Sequence, residues 1–124
     1  MNFRLRTSKK AQEKLIEMRD KTNITPNILS RYAISFSLLR KDTIKKFDND
    51  TSGIEFNRHV LTGKYDTLFK SLIIQHENKM LNDDEYFPKY LKAHLERGLD
   101  ELYAEFQMAG NDEKFLQRIL DYKI

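Results

Sequence analysis

The chain of 124 residues is 40% hydrophobic and holds six tyrosines and eight phenylalanines, enough apolar material for one folded domain over residues 1–124. It has no cysteine, which excludes disulfides, a thiolate nucleophile, an iron–sulfur cluster and cysteine-bound zinc. Because residues 1–10 lack the apolar core of a secretory signal and no apolar run has membrane-spanning length, we expect a cytoplasmic protein without a membrane partner.

The net charge of +3 conceals an uneven distribution. Residues 1–46 contain 12 Lys and Arg against 4 Asp and Glu, whereas residues 47–124 contain 10 against 15. A basic part of this density attracts a polyanion such as DNA, and the acidic remainder suits contact with other proteins. The alternative is a solvated charged face without a ligand, which is the more common origin of a run of charges.

The basic part begins with a strand–helix–helix pattern. Residues 2–6 alternate, with Phe3 and Leu5 on one side, which predicts a short amphipathic strand. Ser8 is placed to cap a first helix, and Thr25 with Pro26 suits the start of a second helix that ends near residue 40. This order resembles the ribbon-helix-helix DNA-binding unit.

A single edge strand leaves its hydrogen-bonding groups unpaired, and pairing with a second copy would satisfy them. We therefore expect a homo-oligomer, a dimer or a tetramer, in which Arg4 and Arg6 project from a shared ribbon toward DNA. Arginine in that position either reads guanine or holds phosphate.

The acidic part is mainly helical in pattern. Residues 43–52 are polar and predict a loop, and residues 54–61 allow a short strand. Apolar positions over residues 65–80 predict a helix, a longer helix begins at Pro88, and Gly110 separates it from a final helix. The expected fold class is mainly α, with a short N-terminal strand and helix pair followed by a helical bundle.

Several cations of the basic part are placed to bind phosphate. Lys9 and Lys10 lie in the first turn of a helix, where positive charge opposes the helix dipole unless an anion is bound. Free amides behind Thr25 offer a second seat for phosphate, although an ordinary helix cap explains them equally well. For the remaining cations of the basic part, the alternative is that they are surface side chains that bind no ligand. The predicted DNA-binding residues are Arg4, Arg6, Lys9, Lys10, Lys14, Thr25, Asn27, Arg40, Lys41, Lys45 and Lys46.

We expect no catalytic residue, no cofactor and no metal site. His59, His76 and His94 are too far apart for an i, i+4 metal pair, and the latter two fit hydrogen-bonded core positions. Residues 48–53 match the first half of a calcium loop, but the final carboxylate ligand is absent.

Two further features leave alternatives open. The consecutive carboxylates of Asp83, Asp84 and Glu85 would hold Mg²⁺ in a nuclease, or else form a solvated turn. Gly98 lies inside the longest predicted helix, where glycine costs about 1 kcal/mol relative to alanine. It indicates close helix packing, in the core or at a subunit contact, unless it is simply a tolerated glycine.

Four segments, by their order and spacing, resemble the DndE family of DNA sulfur modification proteins over nearly the whole chain: Phe3-Arg4-Leu5-Arg6, Gly53-Ile54-Glu55-Phe56-Asn57, Leu61-Thr62-Gly63 and His94-Leu95-Glu96-Arg97-Gly98-Leu99. The resemblance implies participation in DNA phosphorothioation, in which sulfur replaces a non-bridging phosphate oxygen. Its implied partners are a cysteine desulfurase, an adenylyl-transfer-like iron–sulfur protein and an ATPase.

Because the chain has no cysteine, it cannot carry the sulfur itself. The expected function is that of a DNA-binding accessory subunit, not an enzyme, which grips the DNA backbone and prefers a nicked duplex. The alternatives are a ribbon-helix-helix transcriptional repressor and a metal-dependent nickase that uses residues 83–85.

Overall fold

The chain folds into a mainly α-helical structure with one two-stranded sheet, as the computed structural model shows for residues 4–121. The strands are β1 (Arg4–Arg6) and β2 (Glu55–Asn57). The helices are α1 (Lys9–Thr22), α2 (Pro26–Leu39), α3 (Arg58–Leu61), α4 (Asp66–Glu77), α5 (Asp83–Glu85), α6 (Lys92–Ala109) and α7 (Asp112–Leu120). A 3-10 turn (Gly63–Tyr65) precedes α4, and a π-helical turn (Tyr86–Leu91) joins α5 to α6. The predicted fold class is confirmed, including the start that resembles ribbon-helix-helix.

The sheet forms within one chain. Strand β1 pairs antiparallel with β2, with Leu5 opposite Phe56, and both side chains are buried. The expectation that β1 needs a second copy as its partner is therefore wrong, because β2 supplies the missing hydrogen bonds. Asn2 and Phe3, which the alternating pattern includes, lie outside the described residues. The homo-oligomer prediction thus loses the argument from an unpaired strand.

The first two helices begin where the sequence predicts. The side chain of Ser8 accepts a hydrogen bond from the amide of Ala11, which satisfies one of the free N–H groups at the start of α1. Asn23 ends α1 in the left-handed conformation, with φ of 61°. Thr25 precedes α2 and Pro26 is its first residue, a position that needs no N–H donor.

Two helix boundaries differ from prediction. Helix α4 ends at Glu77 and not near residue 80, because Asn78 adopts a left-handed conformation with φ of 57°. Pro88 does not begin the long helix, since helical structure starts in α5, where Asn82 forms a capping box. Pro88 instead lies in the π-helical turn, where an irregular turn accommodates a residue without an N–H group.

Helices α2 and α6 make the most extensive contact in the fold. A Cβ atom at Gly98 would lie only 1.6 Å from the carbonyl oxygen of Ala33, so the two backbones touch and no side chain fits between them. Close helix packing at Gly98 is therefore confirmed, and it occurs inside the core. Within residues 4–121, no helix is long and apolar enough to cross a lipid bilayer.

Candidate functional site

A cleft of about 620 Å³ lies where α1, the loop after α2 and the long helix α6 meet. We call it the basic cleft. Six cationic side chains line it: Lys10, Lys14, Arg40, Lys45, Lys46 and Arg97. Four carboxylates also reach it: Asp42, Asp48, Glu96 and Asp100. Its apolar lining includes Ile44, Phe47 and Leu99.

The cations of the basic cleft divide into paired and available ones. The Nζ of Lys14 lies 2.6 Å from a carboxylate oxygen of Asp100, and Arg40 pairs with Asp42 at 2.9 Å. Lys10, Lys45 and Lys46 are exposed, and no carboxylate of the described residues lies within salt-bridge distance of their ammonium groups. These three lysines are therefore the charges that an anionic ligand can recruit without breaking an ion pair.

Arg97 fixes the loop that carries two of these lysines. Its guanidinium donates hydrogen bonds to the carbonyl oxygen of Ser37 at 2.9 Å and to that of Asp42 at 2.8 Å. The first of these carbonyls belongs to the last turn of α2 and also accepts a hydrogen bond from the amide of Arg40 at 3.1 Å. Arg97 thus joins the end of α2 to the loop and holds one wall of the cleft in place.

Carboxylates already occupy the start of α1. Glu96 accepts hydrogen bonds from both the amide and the hydroxyl of Ser8, each at 2.7 Å, and Asp50 accepts one from the amide of Lys9 at 2.9 Å. Hydrogen bonds from Ser52 and from the Lys9 amide lower the pKa of Asp50 to about 2. The phosphate-binding position predicted at this helix start is therefore occupied by the protein's own carboxylates. Lys9 and Lys10 need no bound anion to offset the helix dipole.

The predicted DNA-binding residues are only partly brought together. Lys10, Lys14, Arg40, Lys45 and Lys46 meet at the basic cleft, with Lys9 and Lys41 exposed beside them in sequence. Arg4 and Arg6 both bind Glu55 across the sheet, at 2.9 Å each, so that carboxylate offsets part of their charge.

The second predicted phosphate-binding position, at the start of α2, lies away from the basic cleft. Thr25 and Asn27 are at the start of α2, and Arg40 follows its end, about 20 Å away for a helix of this length. The hydroxyl of Thr25 donates to the side chain of Asn27 and does not cap the helix. These two residues therefore do not contribute to the basic cleft.

The acidic candidates have structural partners. Asp83 accepts hydrogen bonds from Arg58 at 3.1 Å and from Lys70 at 2.8 Å, and these cations lower its pKa. Glu85 completes the capping box of α5. In the calcium-like loop, Asp48 and Asp50 accept hydrogen bonds from backbone amides two residues ahead. Among residues 4–121, neither group converges into a cation-binding cluster.

A buried cluster that spacing did not reveal lies behind the loop. The rings of His76 and His94, from the end of α4 and from α6, have centroids 5.0 Å apart and meet edge to face. Glu77 lies between them, with one carboxylate oxygen 2.9 Å from Nδ1 of His76 and 3.0 Å from Nε2 of His94. Burial lowers the pKa of His94 to about 4, so this ring is uncharged near neutral pH.

The spacing excludes an i, i+4 metal pair, but it did not reveal that two of the three histidines meet in space. His76 and His94 come from different helices, so no local repeat records their proximity. Their assignment to hydrogen-bonded core positions holds for His94, which is fully buried, and His76 is half-buried. His59 is exposed and lies outside the cluster.

The family model described as DNA sulphur modification protein DndE matches residues 4–110. Among solved structures, the chain is similar to the crystal structure of DndE from Escherichia coli B7A, described as involved in DNA phosphorothioation modification. The two share 19% sequence identity with a TM-score of 0.66, over 80% of this chain and 94% of that chain. At this identity the structural likeness concerns the fold. No curated protein sequence matches the chain.

Proposed function

The chain belongs to the DndE family of DNA sulfur modification proteins, and on that premise we propose that it is a DNA-binding accessory subunit of the phosphorothioation machinery. It holds the phosphate backbone at the basic cleft. The observation that carries this proposal is the set of available lysines, Lys10, Lys45 and Lys46, gathered around one cleft from two separate segments of the chain.

The chemistry of these side chains favours the backbone over the bases. A lysine ammonium is a flexible point charge that binds any phosphate, whereas reading a base requires a fixed donor pattern. Arg4 and Arg6 have such a pattern, but Glu55 holds both guanidinium groups. We therefore expect affinity that depends strongly on salt and weakly on sequence.

The proposed accessory role rests on the absence of cysteine from the chain and on the DNA sulfur modification to which its family belongs. Without cysteine it has no thiolate on which sulfur could travel. The partners we propose are therefore proteins that supply this chemistry: a cysteine desulfurase, an adenylyl-transfer-like iron–sulfur protein and an ATPase.

A homo-oligomer, dimer or tetramer, remains part of the proposal, on a different physical argument. Tyr65, Leu68 and Leu72 recur at helical spacing on one face at the start of α4, and each is at least a third exposed. An apolar face of this kind is stabilised when a second copy covers it. Sedimentation at micromolar concentration tests this, and a 14.8 kDa monomer would contradict it.

The experiment for DNA binding compares two triple charge reversals. In the first, Lys10, Lys45 and Lys46 are changed to Glu, and affinity for a short duplex is measured at two salt concentrations. We expect at least a hundredfold loss and a salt dependence reduced by about two to three phosphate contacts.

The matched control changes Lys21, Lys64 and Lys114 to Glu, three exposed lysines outside the cleft that alter the net charge equally. Lys21 is a strict control because it belongs to α1 but lies about 16 Å along that helix from Lys10. Equal losses in both triple variants would show that net charge, and not the cleft, governs affinity.

The second candidate function, a ribbon-helix-helix repressor, rests on the exposed Arg4 and Arg6 of β1. Changing either to Ala would then reduce affinity for one operator sequence by about 1 to 3 kcal/mol and leave other sequences unaffected. We expect a small and uniform reduction instead. Selective loss for one sequence would favour the repressor.

A further inference from the structure

The cluster of His76, Glu77 and His94 has the form of a metal centre. One ligand atom from each residue lies within 4.8 Å of the other two. Both imidazoles direct a nitrogen at the same carboxylate oxygen of Glu77. We propose that this cluster binds a divalent transition metal ion of the zinc class, through Nδ1 of His76, Nε2 of His94 and the Glu77 carboxylate.

The distances suit such an ion after a rearrangement of the two imidazole rings. Zinc bonds imidazole nitrogen and carboxylate oxygen at about 2.0 to 2.2 Å, which places neighbouring ligands of a tetrahedral site about 3.3 Å apart. The two nitrogen–oxygen distances here are 2.9 and 3.0 Å, so each opens by a few tenths of an ångström. The ring nitrogens of His76 and His94 lie within 4.8 Å of each other and must approach to about 3.3 Å in the same rearrangement.

The outer hydrogen bonds of the cluster are those that orient metal ligands. Metal-binding histidines generally donate their second N–H to a carbonyl, a carboxylate or another fixed acceptor. Nε2 of His76 lies 2.6 Å from the carbonyl oxygen of Arg40, and Nδ1 of His94 lies 2.8 Å from the hydroxyl of Ser37. The carboxylate of Glu77 accepts a hydrogen bond from the amide of Ile44 at 3.2 Å. All three ligands are therefore held from behind.

The arrangement around His76 gives a further geometric argument. Its two ring nitrogens face two different oxygens, that of the Glu77 carboxylate at 2.9 Å and that of the Arg40 carbonyl at 2.6 Å. An ion bound at Nδ1 would leave Nε2–H to donate to the carbonyl, which is the usual orientation of a metal-binding histidine.

The charges and the ligand types restrict which ion fits. Two imidazoles with one carboxylate suit zinc, whereas magnesium and calcium prefer sites made of oxygen. The nearby cation Arg97 lies 3.3 Å from the Asp42 carboxylate, which also binds Arg40, so the arginines do not oppose the ion with uncompensated charge. About a tenth of the His76 side chain is exposed, which gives a path from solvent.

The ion would clamp the loop of the basic cleft. The outer partners, the Arg40 carbonyl and the Ile44 amide, are both in the segment that leads to Lys45 and Lys46. Immobilising His76 and Glu77 therefore immobilises this segment against α4 and α6. The proposal does not depend on DNA binding, and its test uses the protein alone.

The direct test is a titration of the full, tag-free chain with Zn²⁺ after treatment with a chelator and dialysis. We expect one ion per chain by calorimetry, and a rise in the thermal midpoint of about 5 to 10 °C when free Zn²⁺ is a hundredfold above the dissociation constant. Mg²⁺ at the same concentration should leave the midpoint unchanged.

Variants locate the site. His76→Gln should weaken Zn²⁺ binding at least about tenfold, and His59→Gln, a matched change of an exposed histidine outside the cluster, should not. Co²⁺ bound to the unaltered chain should show the visible d–d bands of a tetrahedral site, a result that requires no variant to fold. The proposal is overturned if no stoichiometric binding occurs, if both variants bind alike, or if Co²⁺ keeps the spectrum of its aqua ion.

Discussion

The α2–α6 contact and the loop of residues 40–54 are held by different forces. In the first, Gly98 lets two helix backbones touch, so no side chain fits between them at this position. In the second, a segment without regular structure is fixed by polar side chains of distant elements, among them Arg97, Glu77 and Lys92. We call the packed pair of α2 and α6 the frame. Its stability depends on side-chain volume, whereas the loop that forms one wall of the basic cleft is held by charged and polar side chains.

The largest effect is expected from adding a side-chain atom between α2 and α6. In Gly98→Ala the new methyl group would collide with the Ala33 carbonyl, so α2 and α6 must separate. We expect the free energy of unfolding to fall by about 3 to 5 kcal/mol, or the chain to fail to fold. Urea denaturation measures this.

Gly110→Ala is the matched control for that change. Gly110 has φ of 83°, so alanine there is strained, but no neighbouring atom lies within 4 Å. Left-handed strain alone costs about 1 to 2 kcal/mol. If Gly98→Ala loses no more stability than Gly110→Ala, the collision with the Ala33 carbonyl is relieved at little cost and the close packing does not limit position 98.

Removing a polar anchor should have the next largest effect. Arg97→Met keeps most of the side-chain volume but removes the hydrogen bonds to the carbonyl oxygens of Ser37 and Asp42. We expect a loss of about 2 to 3 kcal/mol in the free energy of unfolding, because two backbone carbonyls lose a charged donor. The loop should also become more susceptible to proteolysis.

Arg19→Met supplies the comparison for Arg97. Arg19 pairs with Asp20 on the exposed surface of α1, where an ion pair contributes less than about 1 kcal/mol. Equal stability losses in the two variants would mean that Arg97 acts as an ordinary surface charge.

The frame was largely predictable from the sequence, and the site was not. Apolar spacing identified the buried stripe of the long helix, Ser8 identified the start of α1, and an interior glycine indicated close packing at position 98. These signals are local, because helix periodicity and capping act over a few residues.

The polar side chains that hold the loop and the start of α1 leave no local pattern in the sequence. Glu96 binds Ser8 across 88 positions, and Arg97 binds Ser37 across 60. A short strand was predicted within residues 54–61, but its pairing with β1 was not, because that pairing joins distant parts of the chain. His76 and His94 come together only because α4 and α6 do. Charge composition did locate the lysines of the cleft, but it could not distinguish them from the paired Lys14 and Arg40.

A smaller effect should follow from pH. Hydrogen bonds lower the pKa of Asp50 from its ordinary value of 3.8 to about 2, so the folded state favours the carboxylate. Its contribution to stability is present in full above pH 4 and is lost as the pH falls from about 4 to 2. We expect the difference in urea midpoint between the unaltered chain and Asp50→Asn to shrink over this window. A constant difference from pH 6 to pH 2.5 would show that the contacts of Asp50 do not depend on its charge.

The smallest expected effect concerns the DNA, and it follows from the rigidity of the frame. Because α2 and α6 cannot move apart, the duplex must bend if it is to bring more phosphates to the basic cleft and its flanking lysines. Smooth bending of a 20 to 30 base-pair site costs about 1 to 6 kcal/mol, and a nick removes part of that cost. We therefore expect a nicked duplex to bind about threefold to tenfold more tightly than an intact duplex of the same sequence. Its salt dependence should be steeper, since more phosphates are engaged. In the triple variant of Lys10, Lys45 and Lys46 the advantage should disappear. Equal affinity of the unaltered chain for both duplexes would contradict the preference for nicked DNA while leaving the proposal of backbone binding intact.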